Sequence, residues 1–260
     1  MSRPLDLRER AWESYPGILA LGGSGAPHRT TRTFGGITCA DLGVPHPWSV
    51  QGATGSSRPS EDDLAAAVSW MSGRGATTGW RIAAREEHLG GAPWPELVAH
   101  DRMGLFATPA ASAARIPVEA PDELRLVEQP THAEVLAAYG GWMDDLPLAE
   151  LLVTPADLHR PERQFIVGVV DGAPIGCACV WWSGGAAYLS AIGVVAPMRG
   201  RGYGRALTAA AARMAVSALP SQSPDVVWMH ATDEGAALYA HMGFDRVDTE
   251  VALGPADGNP

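Results

Sequence analysis

The chain has 260 residues, of which 46% are hydrophobic, and a formal net charge of −10; the length suits two compact domains, and the charge argues against a nucleic-acid partner held through its phosphates. All 19 basic side chains are arginines, which excludes a P-loop lysine and a lysine that forms a Schiff base with substrate or pyridoxal phosphate. No apolar run reaches the roughly 20 residues that span a bilayer, and the charged start MSRPLDLRER lacks the apolar core of a secretory signal, so we expect a cytoplasmic protein without a membrane partner.

The first half of the chain predicts alternating strands and helices. The predicted elements are a strand at 47–52, a helix at 61–73, a strand at 77–84, a helix at 95–103 and the start of a strand at 104–106. Ser60 is the expected N-cap of the first of these helices.

A weak internal repeat divides the chain. The segment ELVAHDRMGLF at 96–106 resembles ALYAHMGF at 237–244, which suggests an internal duplication within the chain. The stretch 107–121 is rich in alanine and proline and marks the boundary. The predicted domains are therefore 1–115 and 122–253.

The second half predicts a mixed sheet. Strands are expected at 124–128, 164–170, 175–182, 187–195, 225–231 and 244–251, and helices at 131–142, 204–218 and 234–242, with a proline-broken helical region after the first helix. Thr131 and Glu134 have the spacing of a capping box. Three sequential antiparallel strands are followed by a helical crossover to a further strand. This order predicts an α/β fold whose sheet mixes parallel and antiparallel strands, as in α+β domains.

The stretch APMRGRGYGRAL at 196–207 lies between a predicted strand and a predicted helix. A glycine turn at a helix N-terminus presents convergent backbone N–H groups and suits a pyrophosphate. A Walker loop is excluded because lysine is absent. A dinucleotide fingerprint is disfavoured because Arg205 stands where it needs a glycine and because the loop follows a three-strand meander.

Cysteine and histidine predict no metal site. Cys39, Cys177 and Cys179 are an odd set without a secretion signal, so we expect reduced thiols in the core. The eight histidines show no metal-ligand spacing.

Two motifs carry a resemblance to a known family. Arg199-x-x-Gly202-x-Gly204, after a strand and at the opening of a helix, resembles the coenzyme A signature of the GCN5-related N-acetyltransferases (GNAT). ATDEGAALYAHMGF at 231–244 resembles the strand–helix ending of the same family. The resemblance covers 124–251, and the first half resembles the degenerate companion domain of tandem members.

The resemblance implies acetyl-CoA as the acyl donor. The residues that would bind it are Val194, Val195, Arg199, Gly200, Arg201, Gly202, Tyr203, Gly204, Arg205 and Thr232. Thr232 stands where the family often has asparagine. The strand ending at Val194 would separate from its neighbour, and one of its N–H groups would polarise the acetyl carbonyl. Tyr239 would be the acid for the departing thiolate; the alternative is that it only packs the helix.

The acceptor side is less defined. Tyr188 and Ser190 share one face of their strand and are expected to line the substrate cleft. Asp144 and Asp145 either attract a cationic substrate or form a solvated turn. The general base stays open between a carboxylate and a water held by Ser190 or His230.

The predicted function is direct transfer of acetyl from acetyl-CoA to a primary amine of a small molecule. Cys177 and Cys179 precede the active-site strand and are poor nucleophiles. One alternative is a transferase that uses another acyl-CoA or an O-acceptor. The other is a non-catalytic acyl-CoA sensor.

Overall fold

The structure, a computed structural model, describes residues 6–24, 26, 28–46, 49–75, 79–90, 94, 97–217 and 223–256. The chain forms two compact units. Unit 1 comprises Met1–Phe106, Ala231–Ala236 and Arg246–Pro260, and unit 2 comprises Ala107–His230 and Ala237–Asp245. The domain boundaries expected from the sequence, 1–115 and 122–253, stay a prediction.

The described part of the chain contains both strands and helices. The strands are β1 (Thr30–Phe34), β2 (Ile37–Asp41), β3 (Val50–Thr54), β4 (Arg81–Arg85), β5 (Leu97–Pro109), β6 (Arg125–Val127), β7 (Arg163–Val170), β8 (Ala173–Ser183), β9 (Ala186–Val194), β10 (Val226–Ala231) and β11 (Asp245–Pro255). The helices are α1 (Leu7–Gly22), α2 (Glu61–Arg74), α3 (Ala110–Ala113), α4 (His132–Met143), α5 (Leu146–Leu152), α6 (Tyr203–Ser217) and α7 (Asp233–His241). Among the described helices, none is both long and apolar enough to cross a membrane.

In unit 1 the strands lie in the order β1-β2-β3-β4-β11-β5. β3 and β4 are parallel and are connected through α2. β11 pairs antiparallel with β4, so the end of the chain completes this sheet. The core consists of apolar side chains from α2 and from these strands: Ile37, Cys39, Val50, Leu64, Ala67, Met71, Trp80, Ile82, Ala84, Val251 and Leu253.

In unit 2 the strands lie in the order β10-β9-β8-β7-β6. β6 to β9 form an antiparallel meander, and β9 pairs parallel with β10 after the crossover through α6. The indole N–H of Trp182 donates to the carbonyl of Ala215 at 2.8 Å, which places α6 on one face of β8. A Cβ at Gly193 would collide with the Trp142 ring, which places α4 on the opposite face.

The mixed α/β fold expected from the sequence is confirmed. Ser60 accepts a hydrogen bond from the Asp63 N–H and caps α2, and Thr131 and Glu134 form the expected capping box of α4. The strands and helices predicted for the second half all exist, with ends that move by up to four residues. Residues 47, 48, 77, 78 and 218, at the ends of predicted elements, lie outside the described residues.

The predicted helix at 95–103 is wrong. Residues 95 and 96 lie outside the described part of the chain, and β5 begins at Leu97. Its neighbour in the sheet is β11, so backbone pairing with a strand distant in sequence overrides the local helical pattern. The two similar segments therefore differ in structure: the described residues of 96–106 lie in strand β5, whereas 237–244 begins within helix α7. Helix α1 and strands β1 and β2 carry no signal that predicted them from the sequence.

Candidate active site

Strand β9 carries a bulge close to its end. Cys177 of β8 pairs with Gly193 and Cys179 pairs with Ser190, so two residues of β9 lie opposite the single residue between the cysteines. Ala191 has a φ of 50°. A bulge leaves the extra residue outside the hydrogen-bond ladder. The backbone at this point is therefore available to a ligand.

β9 and β10 are paired over only part of their length. Parallel pairing runs from Ala186 with Val226 to Leu189 with Met229, whereas β9 continues to Val194. The expected separation of this strand from its neighbour begins after Leu189. The bulge lies within the separated part, so its backbone faces an opening between the two strands.

The glycine-rich loop follows directly. A 3-10 turn at Ala196–Met198 leads into it, and the Arg199 Nε donates to the Val194 carbonyl at 3.0 Å. Gly200 and Gly202 have φ values of 77° and 85°, in the left-handed region that favours glycine. This turn directs the chain into α6, whose first N–H groups have no partner within the helix.

Open space borders the loop. A Cβ built at Gly200 meets nothing within 4 Å, and at Gly202 and Gly204 the nearest atoms are 3.8 and 4.0 Å away. The Nε of Arg205 is buried and has no hydrogen-bond partner among the described residues. Free N–H groups, the positive end of the helix dipole and an unused guanidinium donor together fit a bound phosphate.

Two carboxylates contact side chains at the glycine-rich loop: Glu123 contacts Tyr203, and Glu119 contacts Arg205. The Tyr203 hydroxyl donates to Oε1 of the exposed Glu123 at 2.7 Å; this bond, with smaller effects of a backbone hydrogen bond and of Arg201, lowers the pKa of Glu123. The Arg205 Nη2 lies 3.5 Å from Glu119 Oε2. Tyr203 can therefore offer a ligand its backbone but not its hydroxyl.

Two predicted backbone contacts are used within the protein. The Val195 N–H donates to the carbonyl of Ile175 at 2.9 Å, and the Val194 carbonyl accepts from Arg199. These groups hold the end of β9 in place. The binding roles predicted for Val194 and Val195 stay predictions, and the bulge is the better-placed source of a free amide.

The remaining motif residues lie on α7 and directly before it. Thr232 is exposed, and its hydroxyl accepts from the Gly235 N–H at 3.4 Å, so it caps the helix. Tyr239 is buried, and burial raises its pKa. The phenol therefore carries its proton at neutral pH, as an acid must.

Tyr188 belongs to a cluster of three rings. Its hydroxyl lies 3.2 Å from the Nδ1 of His230, and its ring centroid is 4.4 Å from that of Trp228. Trp228 and His230 meet edge to face at 5.3 Å. The cluster joins the paired residues Tyr188 and Trp228 of β9 and β10 to His230, the first residue of β10 beyond the pairing.

Ser190 is fixed from the other side. Its hydroxyl accepts from the indole N–H of Trp181 at 3.0 Å. The guanidinium of Arg163 lies 4.2 Å from the Trp181 ring centroid, and its Nη1 is 3.2 Å from Asp157 Oδ1. Arg163 and Asp157 are both buried. This chain of contacts holds Ser190 next to the bulge.

Asp144 and Asp145 lie at helix ends. Asp144 has a φ of 57° and terminates α4. The Asp145 carboxylate accepts from the Leu148 N–H at 2.9 Å and caps α5. This geometry accounts for both residues as the turn between two helices, and a role toward the acceptor stays a prediction.

The cysteines are structural. Burial raises the pKa of Cys39 and of Cys177 to about 12, and raises that of Cys179 as well. The Cys177 thiol donates to the Ala191 carbonyl at 3.4 Å and so braces the bulge. Within the described ranges, His, Cys, Asp and Glu form no group of three that could hold a metal.

Sequence reasoning missed the bulge, the Trp228 and Arg163 contacts, and the pairing of Tyr188 with His230. Trp228 and His230 alternate on one strand as Tyr188 and Ser190 do on the next, so each pair shares a face. Only the register of β9 with β10 brings the two pairs together.

Comparison with known proteins gives a consistent result. Residues 161–246 match the model of the acetyltransferase (GNAT) domain. The fold matches a GCN5-related N-acetyltransferase from Kribbella flavida (TM-score 0.65, 16% identity, 93% of this chain and 95% of that one). It also matches a tandem GNAT protein from the clavulanic acid biosynthesis pathway (0.60, 16%, 94% and 88%) and a GCN5-related N-acetyltransferase from Sphaerobacter thermophilus (0.55, 15%, 84% and 76%). No curated protein matches the chain.

The domain match identifies an acyltransferase, and the matched structures share its fold. More particularly, residues 161–246 form an acetyltransferase domain of the GNAT superfamily, as the two sequence motifs indicated.

Proposed function

We propose that this protein transfers an acetyl group from acetyl-CoA to a primary amine of a small molecule. The observation that carries the proposal is the open glycine turn at the start of α6, adjoining a bulged strand whose edge is free. An anionic head group and an extended amide-bearing chain suit these two features.

The coenzyme would be held by this chain's backbone more than by its side chains. Amides of Gly200, Gly202 and Gly204 and of the first turn of α6 would bind the pyrophosphate, with Arg205 adding a charge. Arg199 braces β9 and so contributes to the shape of the turn. When bound, the coenzyme supplies the acetyl thioester.

Two groups of the protein would act on the reacting atoms. A free N–H at the bulge is a fixed donor for the negative charge that develops on the acyl oxygen. Tyr239 holds a proton at its Oη, because burial raises its pKa, and would give it to the thiolate.

We propose that unit 1 is a degenerate GNAT-like domain, because the described start of α2 offers no open phosphate-binding turn. Its β3–α2–β4 unit has the same parallel crossover as β9–α6–β10. At the start of α2, however, the Ser60 hydroxyl accepts from the Asp63 N–H at 3.2 Å. The first turn carries Glu61, Asp62 and Asp63, whose charges repel a phosphate.

The loop before α2 is occupied as well. Arg85, only 2% exposed, donates to the Ser56 carbonyl at 2.8 Å and fills the space beside the loop. We therefore propose a tandem protein that binds one coenzyme per chain. The cytoplasmic location and the lack of a nucleic-acid partner stay predictions from composition.

Release of free thiol from acetyl-CoA over a panel of primary amines tests the proposal. Alcohols and propionyl-CoA serve as competing acceptor and donor classes. We expect thiol release with at least one amine, and one bound coenzyme per chain by calorimetry. Coenzyme binding without thiol release from any amine would show a sensor instead, and two bound coenzymes would contradict a degenerate unit 1.

A further inference from the structure

The three-ring cluster of Tyr188, Trp228 and His230 is distinct from the glycine turn. It lies on the same face of the sheet as α4, because Tyr188 pairs with Trp181 and residues of β8 alternate between the α4 and α6 faces. The glycine turn opens α6 on the other face. The cluster therefore adjoins the separated strands from the side opposite the phosphate site, where an acceptor would approach.

The contact between Tyr188 and His230 involves one particular nitrogen of the imidazole. His230 presents its Nδ1 to the Tyr188 hydroxyl at 3.2 Å, while its Nε2 is buried. Tyr188 and His230 are each only partly buried. A ligand on this face would accordingly meet the Tyr188 oxygen, with the imidazole behind it.

We propose that Tyr188 and His230 form a proton relay that deprotonates the acceptor amine. The inference rests on the proposed N-acetyltransferase function and assigns the general base that the sequence left open. An N–H bond of the ammonium breaks and its proton moves to the Tyr188 oxygen. The tyrosine proton moves to the Nδ1 of His230, which becomes an imidazolium and later returns the proton to water. The neutral amine then has a lone pair for attack.

The chemistry of the residues supports this order. A phenol alone is a poor base at neutral pH, whereas imidazole is the side chain that most readily takes up a proton there. In the relay, the Tyr188 oxygen contacts the amine, and the His230 imidazole behind it supplies the basicity. The partly exposed ring of Tyr188 also attracts an ammonium before it loses its proton. The acceptor class is thus an alkylamine that is charged in solution.

The test compares Tyr188→Phe and His230→Gln with wild type. Tyr15→Phe in unit 1 and His159→Gln, an exposed residue of unit 2, are matched controls. Two acceptors are used: the best alkylamine of the panel, and the alkoxyamine of the same skeleton, which is neutral at the assay pH. Calorimetry with coenzyme A measures binding independently of turnover, and long-range proton–nitrogen NMR reports which ring nitrogen of His230 carries the proton.

We expect Tyr188→Phe to lower kcat for the alkylamine about 100-fold, the lower range for loss of a general base. For the alkoxyamine, the same substitution should lower kcat less than about 10-fold, because this acceptor needs no prior deprotonation. Coenzyme affinity should not change, and wild-type His230 should carry its proton on Nε2.

Equal loss with both acceptors, no loss with the alkylamine, or a proton on Nδ1 would overturn the relay. These outcomes differ from failure of the proposed function, in which wild type itself acetylates no amine and the relay falls with it.

Discussion

Gly204→Val tests whether the opening of α6 is the coenzyme site. Gly204 lies in the first turn, and its φ is not in the left-handed region. A Cβ there has its nearest neighbour, Val194 Cγ2, at 4.0 Å, so a β-carbon is accommodated without a clash. Helical side chains point toward the N-terminus, so the added methyl groups would occupy the space in front of the first N–H groups.

The magnitude follows from the hydrogen bonds lost. Each bond between an N–H and a charged phosphate is worth about 1.5–3 kcal/mol. Loss of two such bonds costs about 3 kcal/mol or more, which corresponds to at least roughly 100-fold in Kd. The helix itself gains a few tenths of a kcal/mol, because valine has a higher helix propensity than glycine.

Calorimetry with coenzyme A measures this change directly. Gly73→Val is the matched control, since Gly73 is also helical and a Cβ there meets nothing within 4 Å, but it lies in α2 of unit 1. We expect both variants to unfold at or above the wild-type temperature and only Gly204→Val to lose affinity. A Kd within about three-fold of wild type, far short of the loss of two bonds, would refute the assignment of the phosphate site.

Three further predictions concern the acid, the loop charges and unit 1. Tyr239→Phe should lower kcat by roughly 10²–10⁴-fold with unchanged coenzyme affinity; an unchanged kcat in a thiol-release assay would remove its role as acid. Glu119→Gln frees Arg205 and should tighten coenzyme binding about two- to five-fold at low salt, as measured by calorimetry, because exposed pairs contribute at most about 1 kcal/mol. No change at low salt would show that this carboxylate does not compete with the phosphates. Asp248→Ala should destabilise unit 1 by about 1–3 kcal/mol in denaturant unfolding, because it removes a partly buried carboxylate that pairs with Arg8 and with the buried Arg85; Asp245→Ala is the exposed control on the same strand. Equal effects of the two variants would contradict this role of Asp248.

The pH dependence of that same pair has a definite sign. Burial raises the pKa of Asp248, but hydrogen bonds from Arg8, the Thr249 N–H and Trp12 outweigh this effect and hold it below the usual range. The charged form is therefore favoured in the folded state. Its stabilisation is complete above the unfolded pKa, about 3.9, and is lost as pH falls below that value. Thermal unfolding between pH 6 and 2.5 should show this loss in wild type and a weaker loss in Asp248→Asn.

Local patterns predicted the second half well because each element carries its own signal. Thr131 and Glu134 define the start of α4, and the glycines at 200–204 mark the turn into α6. The helix predicted at 95–103 failed because β5 is specified by pairing with β11, about 140 residues later in the chain. Pairing between distant strands leaves no trace in a local window.

The same limit applies to the site. The phosphate turn depends on glycines that any reader of the sequence can see. The Tyr188–His230 contact and the link from Arg163 through Trp181 to Ser190 depend on strand register. A change of one residue in register would move these side chains to the opposite face.

β11 shows why a linear division of the chain is a poor guide to its stability. Its residue Asp248 accepts hydrogen bonds from Arg8 at 2.6 Å and from Trp12 at 2.9 Å, both on α1, and lies 3.4 Å from the Nε of Arg85 on β4. Unit 1 therefore joins the first helix of the chain to its last strand. A fragment that ends before β11 would leave Arg85 buried without this carboxylate and would leave the edge of β4 unpaired. The first half of the chain thus needs the last strand for a complete sheet, although it contributes no residue to the glycine turn.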